Sequence, residues 1–132
     1  MPQAVDLTVK NGATTPVDKT FTLVAPAAGD SGIAQWFLKE GAIASVFPKL
    51  TASAYPVGGK SRNLKIKLHV PSSYTDSVTG QTVVNTAAEM NVTFSVPDTY
   101  PEALKPDFVA FATNLLATPL IKSMIRDAFP AT

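Results

Sequence analysis

Five basic side chains, Lys49, Lys60, Arg62, Lys65 and Lys67, fall between Ser45 and Val70 with no acidic residue among them. The whole chain has eleven Lys and Arg and a formal charge of +1, so the near-neutral total conceals a local concentration of cations. Lysines interleaved with Thr51, Ser53 and, further on, Asn91 and Thr93 suit phosphate contacts plus adaptable hydrogen bonds to bases. The same residues are also common on an ordinary solvated sheet face. Few aromatics interleave with them, which argues against a platform of stacked bases.

Other chemistries fail on spacing. Gly58-Gly59-Lys60-Ser61 imitates the end of a phosphate-binding loop, but Ala54 stands where the first glycine is required, and a strand follows where a helix should. It reads as a lysine-bearing hairpin turn. Asp30-Ser31-Gly32 is a turn rather than a nucleophile elbow. The acidic residues are scattered, with no close carboxylate pair for glycosidase or metal chemistry. With no cysteine and one histidine, His69, the chain offers no disulfide framework, thiol chemistry or His-rich metal site. No enzyme, cofactor, metal site or small-molecule substrate is expected.

Length and composition narrow the reading further. A chain of 132 residues suits one domain. Charged residues are 16% and hydrophobic residues 45%, which suggests that the chain buries surface against another copy of itself. The segment Met1-Pro2-Gln3-Ala4-Val5-Asp6 lacks the basic and apolar regions of a signal peptide, and nowhere do 18 apolar residues run together, so no membrane role is expected.

The elements that must position the lysines are strands. Leu7 to Lys10, then Asn11-Gly12 and Phe21 to Val24, indicate a hairpin over 4–25 with a loose loop around Pro16. Ile33 to Leu38 is a run of strand length. Leu50, Ala52 and Ala54 alternate with Lys49, Thr51, Ser53 and Tyr55. Leu64, Ile66, Leu68 and Val70 alternate with Asn63, Lys65, Lys67 and His69, and Met90, Val92, Phe94 and Val96 with Glu89, Asn91, Thr93 and Ser95. Such period-two patterns belong to half-buried antiparallel strands. Residues 71–88, rich in Ser, Thr, Asp and Gly, are expected to form a long loop. Helices are expected from Pro106 or Asp107, with Phe108, Phe111, Leu115 and Leu116 in a stripe, and from the Thr118-Pro119 cap, with Leu120, Ile121, Met124, Ile125 and Ala128.

Four segments in this order resemble one family. Gly32-Ile33-Ala34-Gln35-Trp36, Lys49 to Ser53 with Arg62 to Pro71, Asn91 to Pro97, and Leu115 to Ile121 with the ending Phe129-Pro130-Ala131-Thr132 are similar to the coat proteins of single-stranded RNA bacteriophages, the levivirus group of the Qβ and MS2 type. The resemblance covers essentially the whole chain. It implies an α+β fold: an N-terminal β-hairpin (1–26), a five-stranded antiparallel sheet (33–97, with a loop between its last two strands at about 71–88) and two C-terminal helices (101–129), in one coat-protein domain. It further implies an interlocked homodimer whose helices, through Phe108, Phe111, Leu115, Leu120 and Met124, form the dimer interface. Such dimers build an icosahedral shell, T=3 in the usual case, assembled in the bacterial cytoplasm around single-stranded genomic RNA. Removal of Met1 ahead of Pro2 is expected there.

The resemblance also implies that the inner sheet face binds an RNA hairpin and so represses replicase translation. The RNA-binding set is then Lys49, Thr51, Ser53, Arg62, Lys65, Lys67, Glu89 and Asn91, with Thr51 and Ser53 around a flipped adenine. Glu89 departs from the family: relatives carry there a tyrosine that stacks on a base. No cysteine is available in the 71–88 loop to crosslink a shell. The alternative is a dimeric RNA-binding regulator that forms no shell.

Overall fold

The computed structural model describes residues 2–132; Met1, and with it the expected trimming, lies outside the described residues. Six strands lie in chain order in one antiparallel sheet: β1 (Leu7–Lys10), β2 (Asp18–Ala25), β3 (Ile33–Phe37), β4 (Lys49–Val57), β5 (Ser61–Thr75) and β6 (Thr82–Pro97). Two helices follow, α1 (Lys105–Leu116) and α2 (Pro119–Asp127). The range expected for the five-stranded sheet, 33–97, holds four strands, β3 to β6, and β1 and β2 of the N-terminal hairpin join them in the same sheet to make six. The chain divides into two compact units, one ending at Val96 and one spanning Pro97–Thr132.

In the sheet unit, period-two alternation sends Phe21, Ala34 and Trp36 to one side, where they are buried together. Leu23, Leu50, Ala52 and Leu68 pack around them, with Ala4 and Leu7 from the N-terminal segment. Trp36 Nε1 donates to the Val5 carbonyl at 2.8 Å, and Asp6 Oδ1 accepts from the Leu23 N–H at 2.8 Å. These two bonds fasten the N-terminal segment to β2 and β3.

Turns set the register. Between β1 and β2 the chain does not turn tightly at Asn11-Gly12. Asn11 Oδ1 instead accepts from the N–H groups of Ala13 and Val17, holding a wider loop whose base is the Asn11 N–H to Val17 O bond of 2.9 Å. Gly58 and Gly59 both have positive φ (60° and 66°), as a close β4–β5 turn requires. Between β3 and β4 a short 3₁₀ turn, Ala44–Val46, buries Val46. Gly41 has a φ of 133°, and a Cβ there would collide with the Val46 side chain, so the position takes glycine.

The long loop expected over 71–88 is a correction. β5 continues to Thr75 and β6 begins at Thr82, leaving only residues 76–81 outside the strands. Ser72 Oγ donates to the Thr86 carbonyl at 3.1 Å and pairs with Thr86 Oγ1 at 2.9 Å. Side-chain hydroxyls that favour loops in isolation act here across the ladder, and no proline between Ser72 and Val96 interrupts it.

The helical unit starts where its prolines allow. Pro106 and Pro119 occupy first-turn positions of α1 and α2, where a missing N–H costs nothing. Thr118 is the N-cap residue of α2 by position, but its Oγ1 donates back to the Leu115 carbonyl at 2.7 Å and caps no N–H. Neither helix contains a buried residue. Among the described residues no single helix is long and apolar enough to cross a membrane.

Candidate nucleic-acid interface

The β4–β5 register assembles the site. Lys49 lies opposite His69, Thr51 opposite Lys67, Ser53 opposite Lys65, and Tyr55 opposite Asn63. On the other side Ile33, Gln35 and Phe37 of β3 stand opposite Ser53, Thr51 and Lys49. Residues paired across strands point the same way, and neighbouring strands lie about 4.8 Å apart, so these side chains share one sheet face. The opposite face carries Leu50–Leu68, Ala52–Ile66 and Ala54–Leu64. Five of the expected contact residues, Lys49, Thr51, Ser53, Lys65 and Lys67, are thus brought together.

Glu89 of β6 reaches the same face. Its Oε1 is 3.0 Å from His69 Nδ1 and 3.6 Å from Lys67 Nζ. The His69 hydrogen bond, followed by the Lys67 charge, holds the Glu89 carboxyl below its ordinary value. The carboxylate therefore neutralises part of the lysine patch. Asn91, two residues on along β6, shares the face of Glu89.

Arg62 stands elsewhere. It pairs in register with Pro56, on the parity of Leu64 and Ile66, and its guanidinium makes a two-point contact with the Asp30 carboxylate. The Arg62 hydrogen bond depresses the Asp30 pKa. Lys60 lies in the turn between β4 and β5, off the paired face.

The sequence pattern held one contribution that the basic cluster obscured, that of β3. Phe37 lies under Lys49, whose Nζ is 5.3 Å from the ring centroid, a cation–π arrangement that steadies the lysine over the sheet. The signal was available: once Ala34 and Trp36 are assigned to the core, alternation puts Ile33, Gln35 and Phe37 outside.

Among the expected dimer-interface residues, Phe108 and Met124 are half-buried within the chain, and the Phe108 ring meets Tyr100 edge-on at 6.3 Å. Phe111 (66%), Leu115 and Leu120 are exposed.

Among the described residues no group of acidic or histidine side chains could hold a metal ion. What the face offers is cations, hydroxyls and amides on a rigid sheet, which bind and position but do not transform.

Solved structures share this architecture. The virus-like particle of bacteriophage NT-214 superposes with a TM-score of 0.87 at 26% identity, covering 99% of this chain and 100% of that one. The virus-like particle of Beihai levi-like virus 21 gives 0.83 at 18% identity, with 99% of each chain covered. The bacteriophage GA capsid protein gives 0.66 at 22% identity over 93% and 94%. The comparison with curated protein sequences finds no match. The family model for the Levivirus coat protein matches residues 2–131. With that match spanning the sheet and both helices, the chain belongs to the Levivirus coat protein family, a family of structural proteins and not of enzymes.

Proposed function

We propose that this coat protein dimerises, assembles into an icosahedral T=3 shell around single-stranded RNA in the host cytoplasm, and binds an RNA hairpin that represses replicase translation. The observation that carries the reading is the two-sidedness of the sheet. One face sets Lys49, Lys65 and Lys67 among hydroxyls and amides, while the other is apolar. Lysines on one face neutralise phosphates and release counterions, which needs no sequence-specific contact.

Self-association draws support from the exposed apolar side chains. Phe111, Leu115, Leu120, Ile125 and Phe129 are exposed on the helical unit, as are Leu64, Val70 and Met90 on the sheet unit. Obligate dimer interfaces resemble a core cut in half, and a second copy supplies the missing half. The β5–β6 tip adds a contact of its own. Its Val78 is 91% exposed, held out by Asp76 Oδ1, which accepts from the Val78 N–H at 2.8 Å. In the shell this valine meets copies of itself around symmetry axes, a non-covalent contact in a chain without cysteine.

Expression of the chain alone in bacteria, followed by size-exclusion chromatography at 260 and 280 nm and negative-stain microscopy, tests the proposal. The expected result is uniform spherical particles with a high 260/280 ratio. A dimer that forms no particles, even with added RNA, would replace the shell by the non-assembling RNA regulator.

A further inference from the structure

The lysine face carries two aromatic rings along β3 and β4, and they are differently placed. Phe37 is covered by Lys49. Tyr55, opposite Asn63 and one pleat repeat beyond the Ser53–Lys65 pair, has no cation over its ring among the described residues. Asn63 Oδ1 is shut off from solvent and has no hydrogen-bond partner among the described residues. A shielded amide oxygen left unpaired is costly in a folded sheet, so a ligand that draws the Asn63 amide round to the solvent side gains a hydrogen bond that the chain itself does not supply. Glu89, the acidic residue on this face, is engaged by His69 and Lys67 at the other end of the β4–β5 ladder, so it stands away from Tyr55 and does not repel phosphate there.

We propose that Tyr55 and Asn63 form a subsite for one unpaired RNA base, the ring stacking on Tyr55, the base edge bonding the Asn63 amide, and the adjoining phosphate taken by Lys65. The inference rests on the RNA-binding reading above and deepens it. It assigns stacking to the distal end of β4, where the resemblance would have placed it at position 89 and where this chain has a carboxylate. Tyrosine presents a sequence-tolerant π-face, and the amide, with two donors and an acceptor, supplies discrimination between base edges. The spacing is suitable: two residues along a strand advance about 7 Å, close to the separation of successive nucleotides in an extended strand.

The test uses the full chain, stripped of RNA, with two probes. One is an unstructured 20-nucleotide oligoribonucleotide of mixed sequence; the other is inorganic polyphosphate, which has charge but no bases. Tyr55→Leu is expected to weaken oligoribonucleotide binding about tenfold, leave polyphosphate binding unchanged and keep the wild-type salt slope. Tyr55→Phe and Tyr55→Trp are expected to retain binding, which separates loss of stacking from loss of fold. Asn63→Ala should flatten the preference among oligo(A), oligo(C) and oligo(U). Photo-crosslinking of wild-type protein to 5-bromouridine RNA should label the peptide containing Tyr55. If Tyr55→Leu binds the oligoribonucleotide like wild type while Lys67→Ala is weakened, the face binds RNA and the subsite is overturned. If neither change affects binding, the face is not the RNA surface and both readings fall.

Discussion

Glu89 Oε1 lies 3.0 Å from His69 Nδ1, across the β5–β6 hairpin and on the face that gathers the lysines. The same oxygen is 3.6 Å from Lys67 Nζ. A carboxylate so placed competes with phosphate for both groups. Glu89→Gln is therefore expected to tighten RNA binding by roughly threefold to tenfold at low salt, the effect of one unit charge near a phosphate in water, and the gain should shrink as salt rises. Glu89→Tyr should tighten hairpin binding further by adding a stacking ring. Filter-binding titrations at two salt concentrations measure both, and a loss of affinity in Glu89→Tyr would count against placing position 89 beside the RNA.

Acid should loosen this cluster. The folded-state carboxyl of Glu89 is held below its ordinary value of 4.5 by His69 and Lys67. Its contribution to stability is therefore present above that value and is lost as pH falls through the lower folded one. Asp30, depressed by Arg62 from an ordinary 3.8, follows the same direction. Thermal midpoints of wild type and Glu89→Gln, measured from pH 6 to pH 3, should converge at the acid end. Both groups are well exposed, so the difference at neutral pH is small.

Lys67→Ala should weaken RNA binding while leaving the dimer intact, because Lys67 stands opposite Thr51 on the exposed face and is no part of the core cluster. The slope of log affinity against log salt should fall by about 0.7, the value for one phosphate neutralised on a single strand. Analytical ultracentrifugation checks the dimer. An unchanged slope would remove Lys67 from the RNA surface.

Phe111 and Leu115 project from α1 exposed at 66% and 59%. The double change Phe111→Asp, Leu115→Asp puts two carboxylates on that surface. It is expected to abolish dimers and particles while Trp36 fluorescence, which reports on the sheet unit, keeps its folded position. Particles that persist would show that this helix face is not the surface a second copy covers.

Trp36→Phe removes the indole N–H that bonds the Val5 carbonyl but keeps most of the buried ring. The expected cost is about 1 kcal/mol, that of one neutral hydrogen bond, against about 3–5 kcal/mol for Trp36→Ala, which empties the core. Urea unfolding monitored by circular dichroism separates the two. A cost near zero for Trp36→Phe would mean that the N-terminal segment is not anchored through this bond.

Much of this molecule is written in local pattern. Period-two alternation over Lys49–Tyr55 and Asn63–Val70 assigns each side chain to a face without knowledge of the pairing, because the pleat sends neighbours to opposite sides. Prolines 106 and 119 mark both helix starts, since a ring without an N–H is accommodated in the first turn. What lies far apart in sequence is decided by the tertiary structure. Arg62 belongs to the basic cluster by composition; alternation already sends it to the side of Leu64 and Ile66, and the tertiary structure gives it Asp30, 32 residues away. Glu89 is an isolated departure in the sequence; the β5–β6 hairpin sets it against His69 and Lys67. Residues 71–88 have the composition of a loop, yet the strands extend to Thr75 and from Thr82 because cross-strand bonds such as Ser72 to Thr86 outweigh local preference. Side-chain direction depends on the backbone period and is legible locally. Which charges neutralise each other depends on register, which only the assembled sheet decides.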